Sequence, residues 1–208
     1  ISIPRAELTS KAYARELASS VQPGRATPTA TLTQGRPEGD HTTHYSVVDA
    51  EGNAVATTTT INSLYGSGVY IAGAGFFMNN EMDDFAAKPG VANQFGLVQG
   101  EQNAIAPRKR MLSAMSPTIV LDPRGRLLLV VGGRGGPRII TAVYPVFSNI
   151  IDYGFDLGTA VSAPRMHHQH LPDQLSVEGN GFPEELLAAL RARGHEVRAG
   201  GGVRVGVR

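Results

Sequence analysis

Apolar positions along the chain recur at two different spacings, and each predicts a different kind of element. Residues 9–21 place a Ser/Thr pair ahead of a run with helical spacing, which predicts a short helix with Thr9 or Ser10 as N-cap. Two alternating runs, 43–48 and 54–61, flank Asp49-Ala50-Glu51-Gly52-Asn53 and predict a β-hairpin. A short strand at 76–78 follows the turn glycines Gly73 and Gly75, and a second hairpin joins 117–121 to 127–131 across Asp122-Pro123-Arg124-Gly125. Apolar residues at 139, 140, 143, 146, 147, 150 and 151 predict a helix buried on a broad face. A last helix over 183–193 aligns Leu186, Leu187 and Leu190. Strands followed by helices, linked by hairpins rather than βαβ units, predict an α+β fold with antiparallel sheet. Between the first helix and the first strand, residues 22–41 carry few large apolar groups and two proline-glycine clusters, so an exposed linker and a boundary are expected there.

Composition narrows the class. The 208 residues are enough for one ordinary domain, and Gly 25 with Pro 13 implies many turns without reaching low complexity. Lys+Arg 19 against Asp+Glu 18 gives a net charge of +1, so there is no electrostatic case for nucleic acid. The absence of cysteine excludes disulfides, thiolate metal sites and a cysteine nucleophile. No apolar run is long enough to span a membrane as a helix. The start Ile1-Ser2-Ile3-Pro4-Arg5 has neither an initiator Met nor the pattern of a signal peptide, so a fragment or processed piece is expected.

Five stretches have chemical potential. At Asp40-His41-Thr42-Thr43 the linker meets the first strand, and cleavage of the His41–Thr42 bond would create a threonine whose own amine serves as base. That amine titrates near 7.7–8.0 when unperturbed, so a sizeable neutral fraction is available at physiological pH. A hydroxyl-rich strand start is the plainer reading of Thr42 alone. Within Thr57-Thr58-Thr59-Thr60, alternation puts Thr58 and Thr60 on one face with Asn62 continuing it, although threonine is also simply a good strand former. Asn79-Asn80-Glu81-Met82-Asp83-Asp84 gathers three carboxylates that could hold an ammonium or calcium, or form a solvated turn; it lacks the spacing of an EF-hand. Gly132-Gly133-Arg134-Gly135-Gly136 ends a strand and opens a helix, where backbone N–H groups suit an oxyanion or make a plain tight turn. His167, His168 and His170 invite zinc, but without HExxH spacing a hydrogen-bonded cluster is the better expectation, and no metal is expected.

The order of these stretches resembles the C-terminal part of γ-glutamyltranspeptidase, an N-terminal-nucleophile hydrolase family. The motifs are Thr42-Thr43-His44-Tyr45-Ser46-Val47-Val48-Asp49, Asn79-Asn80-Glu81-Met82-Asp83-Asp84-Phe85, Leu112-Ser113-Ala114-Met115-Ser116-Pro117-Thr118-Ile119 and Ala163-Pro164-Arg165-Met166-His167-His168-Gln169. The resemblance implies an αββα sandwich of which this chain supplies only part. Residues 1–41 would be the large-subunit tail and linker, and 42–208 the catalytic small-subunit portion. It implies self-cleavage between His41 and Thr42, no cofactor, and attack by Thr42 on the γ-glutamyl amide of glutathione and related compounds. Thr60 would orient the Thr42 amine. Asn62, Glu81, Asp84, Ser113 and position 114 would hold the α-amino and α-carboxyl end, Gly135 and Gly136 would form the oxyanion hole, and Phe95 would sit in a lid over 88–96. Implied partners are the remainder of the same precursor, with its carboxylate-clamping arginine, and amino-acid or peptide acceptors. A periplasmic or secreted location is implied by the resemblance alone.

This chain departs from the family's usual pattern at several positions. Ala114 stands where a second serine is common, Phe95 where tyrosine is frequent, and Gly133, Arg134 and Pro137 surround the glycine pair in place of Ser, Pro and Ser. The end at Gly206-Val207-Arg208 comes without the family's closing Asp-Pro-Arg segment. Two other readings therefore stand beside the first: a related acylase with a different amide substrate, and a catalytically silent homologue or binding domain.

Overall fold

The structure, a computed structural model, describes residues 5–20, 24, 42–179 and 181–199. Most of the expected 22–41 linker and His41 lie outside the described residues. The first helical segment is two pieces, a single turn α1 (Arg5–Leu8) and then α2 (Lys11–Ser20). Ser10 caps α2, its Oγ accepting from Tyr13 N at 3.0 Å, which satisfies one of the free donors of the first turn.

Strands β1 (Thr42–Val48) and β2 (Ala54–Thr60) form the first hairpin, with Thr42 opposite Thr60, His44 opposite Thr58 and Ser46 opposite Ala56. Asp49 closes the turn, its carboxylate accepting from Asn53 N and Nδ2, each at 2.7 Å. Alternation turns the polar side inward: Thr42 and His44 are buried, while Tyr45, Val47 and Val55 point outward. A small hairpin of β3 (Tyr70–Ile71) and β4 (Phe76–Phe77) follows, then 3₁₀ turns at Glu81–Asp84 and Glu101–Asn103. The next hairpin is β5 (Thr118–Leu121) with β6 (Leu127–Val131), and it lies against the first, where Ser46 Oγ donates to the Val130 carbonyl at 3.5 Å.

Helix α3 (Arg138–Ile151) packs on β6, and Leu129, Val131, Ile139, Val143, Val146 and Ala160 make the main core. Its buried face is narrower than the apolar spacing predicts. Ile139, Ala142, Val143 and Val146 are buried, whereas Ile140 and Ile151 are more than half exposed. Helix α4 (Leu157–Ser162), capped by Asp156, leads to β7 (Met166–His167) and β8 (Leu175–Val177). Then α5 (Glu184–Ala192) and β9 (Val197–Ala199) complete a three-stranded sheet in the order β7-β8-β9.

The fold is α+β, but the expectation of purely antiparallel pairing fails in this last sheet. β8 and β9 are parallel and joined through α5, which is a βαβ unit. Leu187 of α5 buries itself on Leu175 and Val177 of β8, and that apolar contact holds the crossover in place.

Candidate active site

The site grows from the inward face of the first hairpin. Because Thr42 and Thr60 are directly paired, their side chains meet: Thr42 Oγ1 donates to Thr60 Oγ1 at 3.3 Å. The same Thr60 oxygen accepts from Asn62 N at 2.9 Å. Asn62 sits in the left-handed region at φ 73°, which turns the chain sharply off β2 and aims its amide at the acidic 3₁₀ turn. From there Asn62 Nδ2 reaches Asp84 Oδ1 and the Asn80 carbonyl, both at 3.3 Å.

One cavity collects most of the predicted residues. Thr42, Thr60, Asn62, Asp84, Phe95, Ser113, Ala114 and Gly136 all line it. Gly135 and Glu81 do not, although each directly adjoins the site through its own turn. Gly135 at φ 130° and Gly136 at φ 57° take conformations that favour glycine, and this lets the chain pivot from β6 into α3. Ser113 Oγ accepts from Met115 N at 3.2 Å. Among the lining residues that sequence reasoning did not single out are Asn93, Leu97, Gln99 and Ile139. Asn93 lies within the expected lid, whereas Leu97 and Gln99 come just after it and carry no local signal of their own.

The segment expected to form a lid is a hydrogen-bonded turn. Asn93 Oδ1 accepts from Phe95 N at 2.9 Å and Leu97 N at 3.0 Å, and Asn93 Nδ2 donates to the Asp83 carbonyl at 3.2 Å. Gln94 N donates to Asp83 Oδ2 at 3.0 Å, so this segment is fastened to the acidic turn.

Electrostatically the site is short of positive charge. Burial first, and the neighbouring Asp83 charge second, push the Asp84 carboxyl up to about 6, against the opposing hydrogen bond from Asn62. Burial and then Asp84 raise Glu81 as well, and Glu81 Oε1 is buried without a protein partner. Two such carboxyls side by side suit a cationic ligand group. Beneath the hairpin, burial holds the His44 imidazole below its ordinary value, and the ring bridges Thr58 Oγ1 at 2.7 Å and Ser46 Oγ at 3.1 Å.

Of the three later histidines, His168 and His170 stay together, His170 N donating to His168 Nδ1 at 3.1 Å, and His167 turns away from them. His167 is buried between Thr141 and Gln169, while His168 pairs with Asp173 at 3.1 Å. Among the described residues no group of three or more His, Cys, Asp or Glu side chains is placed to hold a metal. Nor is any helix among them long and apolar enough to cross a membrane.

Comparison with known proteins shows the family. Residues 1–206 match the family model for gamma-glutamyltranspeptidase. The glutathione hydrolase proenzyme of Escherichia coli (strain K12) is 48% identical over 200 residues, covering 95% of this chain and 34% of that protein. Its Pseudomonas aeruginosa counterpart is 52% identical over 170 residues, covering 82% of this chain and 30% of that protein. This chain thus spans about a third of the length of the curated relatives it matches. In three dimensions it matches a crystal structure of a threonine-to-alanine mutant of Helicobacter pylori gamma-glutamyltranspeptidase, with TM-score 0.75 and 52% identity over 79% of this chain and 89% of that one. With a matching family model along nearly all of its length, and a structural neighbour that it almost entirely covers, the chain belongs to the gamma-glutamyltranspeptidase family.

Proposed function

We propose that the parent protein is a self-processed γ-glutamyl transferase and hydrolase whose nucleophile is Thr42. The observation that carries this reading is the placement of Thr42: first residue of β1, buried, with Oγ1 on Thr60 Oγ1 and facing a cavity that also holds Asp84, Ser113 and Gly136. Residues 1–41 are then the tail of a large subunit, and 42–208 the catalytic portion of a small one. The partner is the remainder of the same precursor, and a periplasmic or secreted location accompanies the reading.

In the precursor, Thr42 Oγ1 attacks the carbonyl of His41. The amide nitrogen leaves as the new α-amine, and water hydrolyses the resulting ester. In the mature chain that amine takes the proton from Thr42 Oγ1 as the oxygen attacks the γ-carbonyl of glutathione or a related donor. Thr60 orients the pair. The N–H groups of Gly135 and Gly136 stabilise the tetrahedral oxyanion, a type of contact worth about 2.7–4 kcal/mol per donor elsewhere. The proton on the amine passes to the departing amino group, leaving a γ-glutamyl ester on Thr42. Water completes hydrolysis; an amino acid or peptide amine completes transfer. Asp84, with Glu81 behind it, neutralises the donor's α-ammonium, while Ser113 meets its α-carboxylate. Ala114 supplies no hydroxyl to that carboxylate and Phe95 no phenolic proton to the lid, so both contacts are weaker here than in relatives with serine and tyrosine.

Denaturing mass spectrometry with N-terminal sequencing of the full parent protein tests the proposal. A second chain beginning Thr42-Thr43-His44-Tyr45 is expected, and Thr42→Ala should abolish it. A single uncut chain that stays intact for days would sink the reading.

A further inference from the structure

We infer that Gln169, oriented by His167, is a positioning residue that holds the lid over the Thr42 cavity; this rests on the reading of that cavity as the γ-glutamyl site. Gln169 Nε2 donates to the Phe95 carbonyl and to the Leu171 carbonyl, each at 2.9 Å. These two acceptors use both amide protons and fix which way the amide faces. The reverse orientation would set its carbonyl oxygen against two others. Gln169 Oε1 is thereby turned to His167 Nε2 at 2.8 Å, which makes that nitrogen the donor.

The other ring nitrogen, Nδ1, lies 2.7 Å from Thr141 Oγ1 in the first turn of α3. His167 is buried, and that burial holds the imidazole below its ordinary value and favours the neutral ring. A neutral ring with its proton on Nε2 must accept at Nδ1, so the one Thr141 hydroxyl proton, which also has the Arg138 carbonyl within reach at 3.1 Å, goes to the shorter contact with the ring. Every member then has one definite role: Thr141 gives to His167, His167 to Gln169, and Gln169 to the lid backbone.

The two ends of this relay both reach the cavity. At one end Phe95 lines it; at the other, α3 opens directly after the Gly135–Gly136 turn. The lid is already fastened on its opposite side by Asn93 and Gln94 to Asp83. Gln169 supplies the second anchor, so that the lid spans the cavity between the acidic turn and the β7 side of the fold. Losing this anchor leaves the lid held from the side of the acidic turn, by Asp83 and by Ser63 and Asn80, which donate to Gln94 Oε1 at 3.1 and 3.4 Å.

Hydrogen exchange on the full parent protein tests the anchor independently of catalysis. Gln169→Leu removes both donors at similar size, and Gln169→Glu keeps the acceptor for His167 while removing them. In each variant the amides of 93–97 should exchange at least fivefold faster, with those of β1 and β2 unchanged. In processed enzyme, KM for a γ-glutamyl donor should rise about fivefold or more while release of the Thr42 chain proceeds at the parent rate. Lid exchange within twofold of the parent in both variants would overturn the inference. Faster exchange in a parent protein that never releases a Thr42 chain would keep the anchor and remove the catalytic reading beneath it.

Discussion

Asp84 is where the chemistry of the site is most exposed to test. A carboxyl pushed up to about 6 by burial and by Asp83 is waiting for a cation, and a donor's α-ammonium is the cation the proposal supplies. Donor binding should therefore weaken as pH falls through about 6, with log(1/KM) dropping by about one per pH unit below it. KM measured from pH 5 to 8 on the processed enzyme checks this; a flat profile removes Asp84 from the binding site. Asp84→Asn should flatten the limb and raise KM about 30-fold, for roughly 2 kcal/mol of charge-assisted hydrogen bonding. The sign for stability is opposite. Asp84 has a folded-state value above its ordinary 3.8, so the folded protein holds the extra proton between about 3.8 and 6 and loses stability as pH rises through that window. Asp84→Asn removes that loss, and the variant should melt at a higher temperature than the parent above pH 6. A substitution that stabilises the empty protein while weakening its ligand is the mark of a residue kept for function.

At the scale of the element, the turn between β6 and α3 depends on its contact with β1. A Cβ at Gly132 would lie 2.1 Å from His44 Cε1 and 2.2 Å from Nδ1. The ring cannot easily yield, because Thr58 and Ser46 hold it on both nitrogens. Gly132→Ala should cost about 1–3 kcal/mol, and it should lower kcat by displacing the turn that carries Gly135 and Gly136. Adding His44→Ala returns the space, so the double variant should be less destabilised than the sum of the two single variants. Additive losses in chemical denaturation would show that the two residues do not press on each other. The elements of the site were legible to different depths. Alternation in 57–60 put Thr58 and Thr60 on one face and the turn at 49–53 marked the hairpin, but the pairing of Thr60 with Thr42 comes from the register of the folded strands, which extends the first strand back to residue 42. Asp84 was visible as an acidic cluster, but its approach to Asn62 needs the left-handed bend at Asn62, which no pattern announces. Leu97, Gln99 and Ile139 come together only as walls of the same cavity, a long-range fact with no local period. The parallel pairing of β8 with β9 was missed because strands of three residues are too short to show alternation.

On the scale of the whole molecule, the first hairpin has its faces reversed from what a solvent-facing sheet requires. Its inner face carries Thr42, His44 and Ser46, and its outer face carries Tyr45, Val47 and Val55, each about half exposed here. A sheet with one wet side places its polar residues outward; apolar residues on the outer side as well belong to a strand pair covered on both sides. Exposed apolar patches of this kind mark surfaces meant for burial. The chain spans about a third of the length of its Escherichia coli and Pseudomonas aeruginosa relatives, and the precursor proposed above would supply the segments that cover this face. Val47→Lys should then be poorly tolerated in the full parent, losing roughly 2 kcal/mol or more through a desolvated charge and a lost apolar contact. Glu51→Lys, in the exposed turn of the same hairpin, changes charge at a position with nothing to bury and should leave stability within about 0.5 kcal/mol. The comparison is made by thermal melting and by the yield of the chain beginning at Thr42. Equal melting and equal yield for the two variants would mean that the outer face stays in water, and that the hairpin carrying Thr42 is completed by nothing outside these 208 residues.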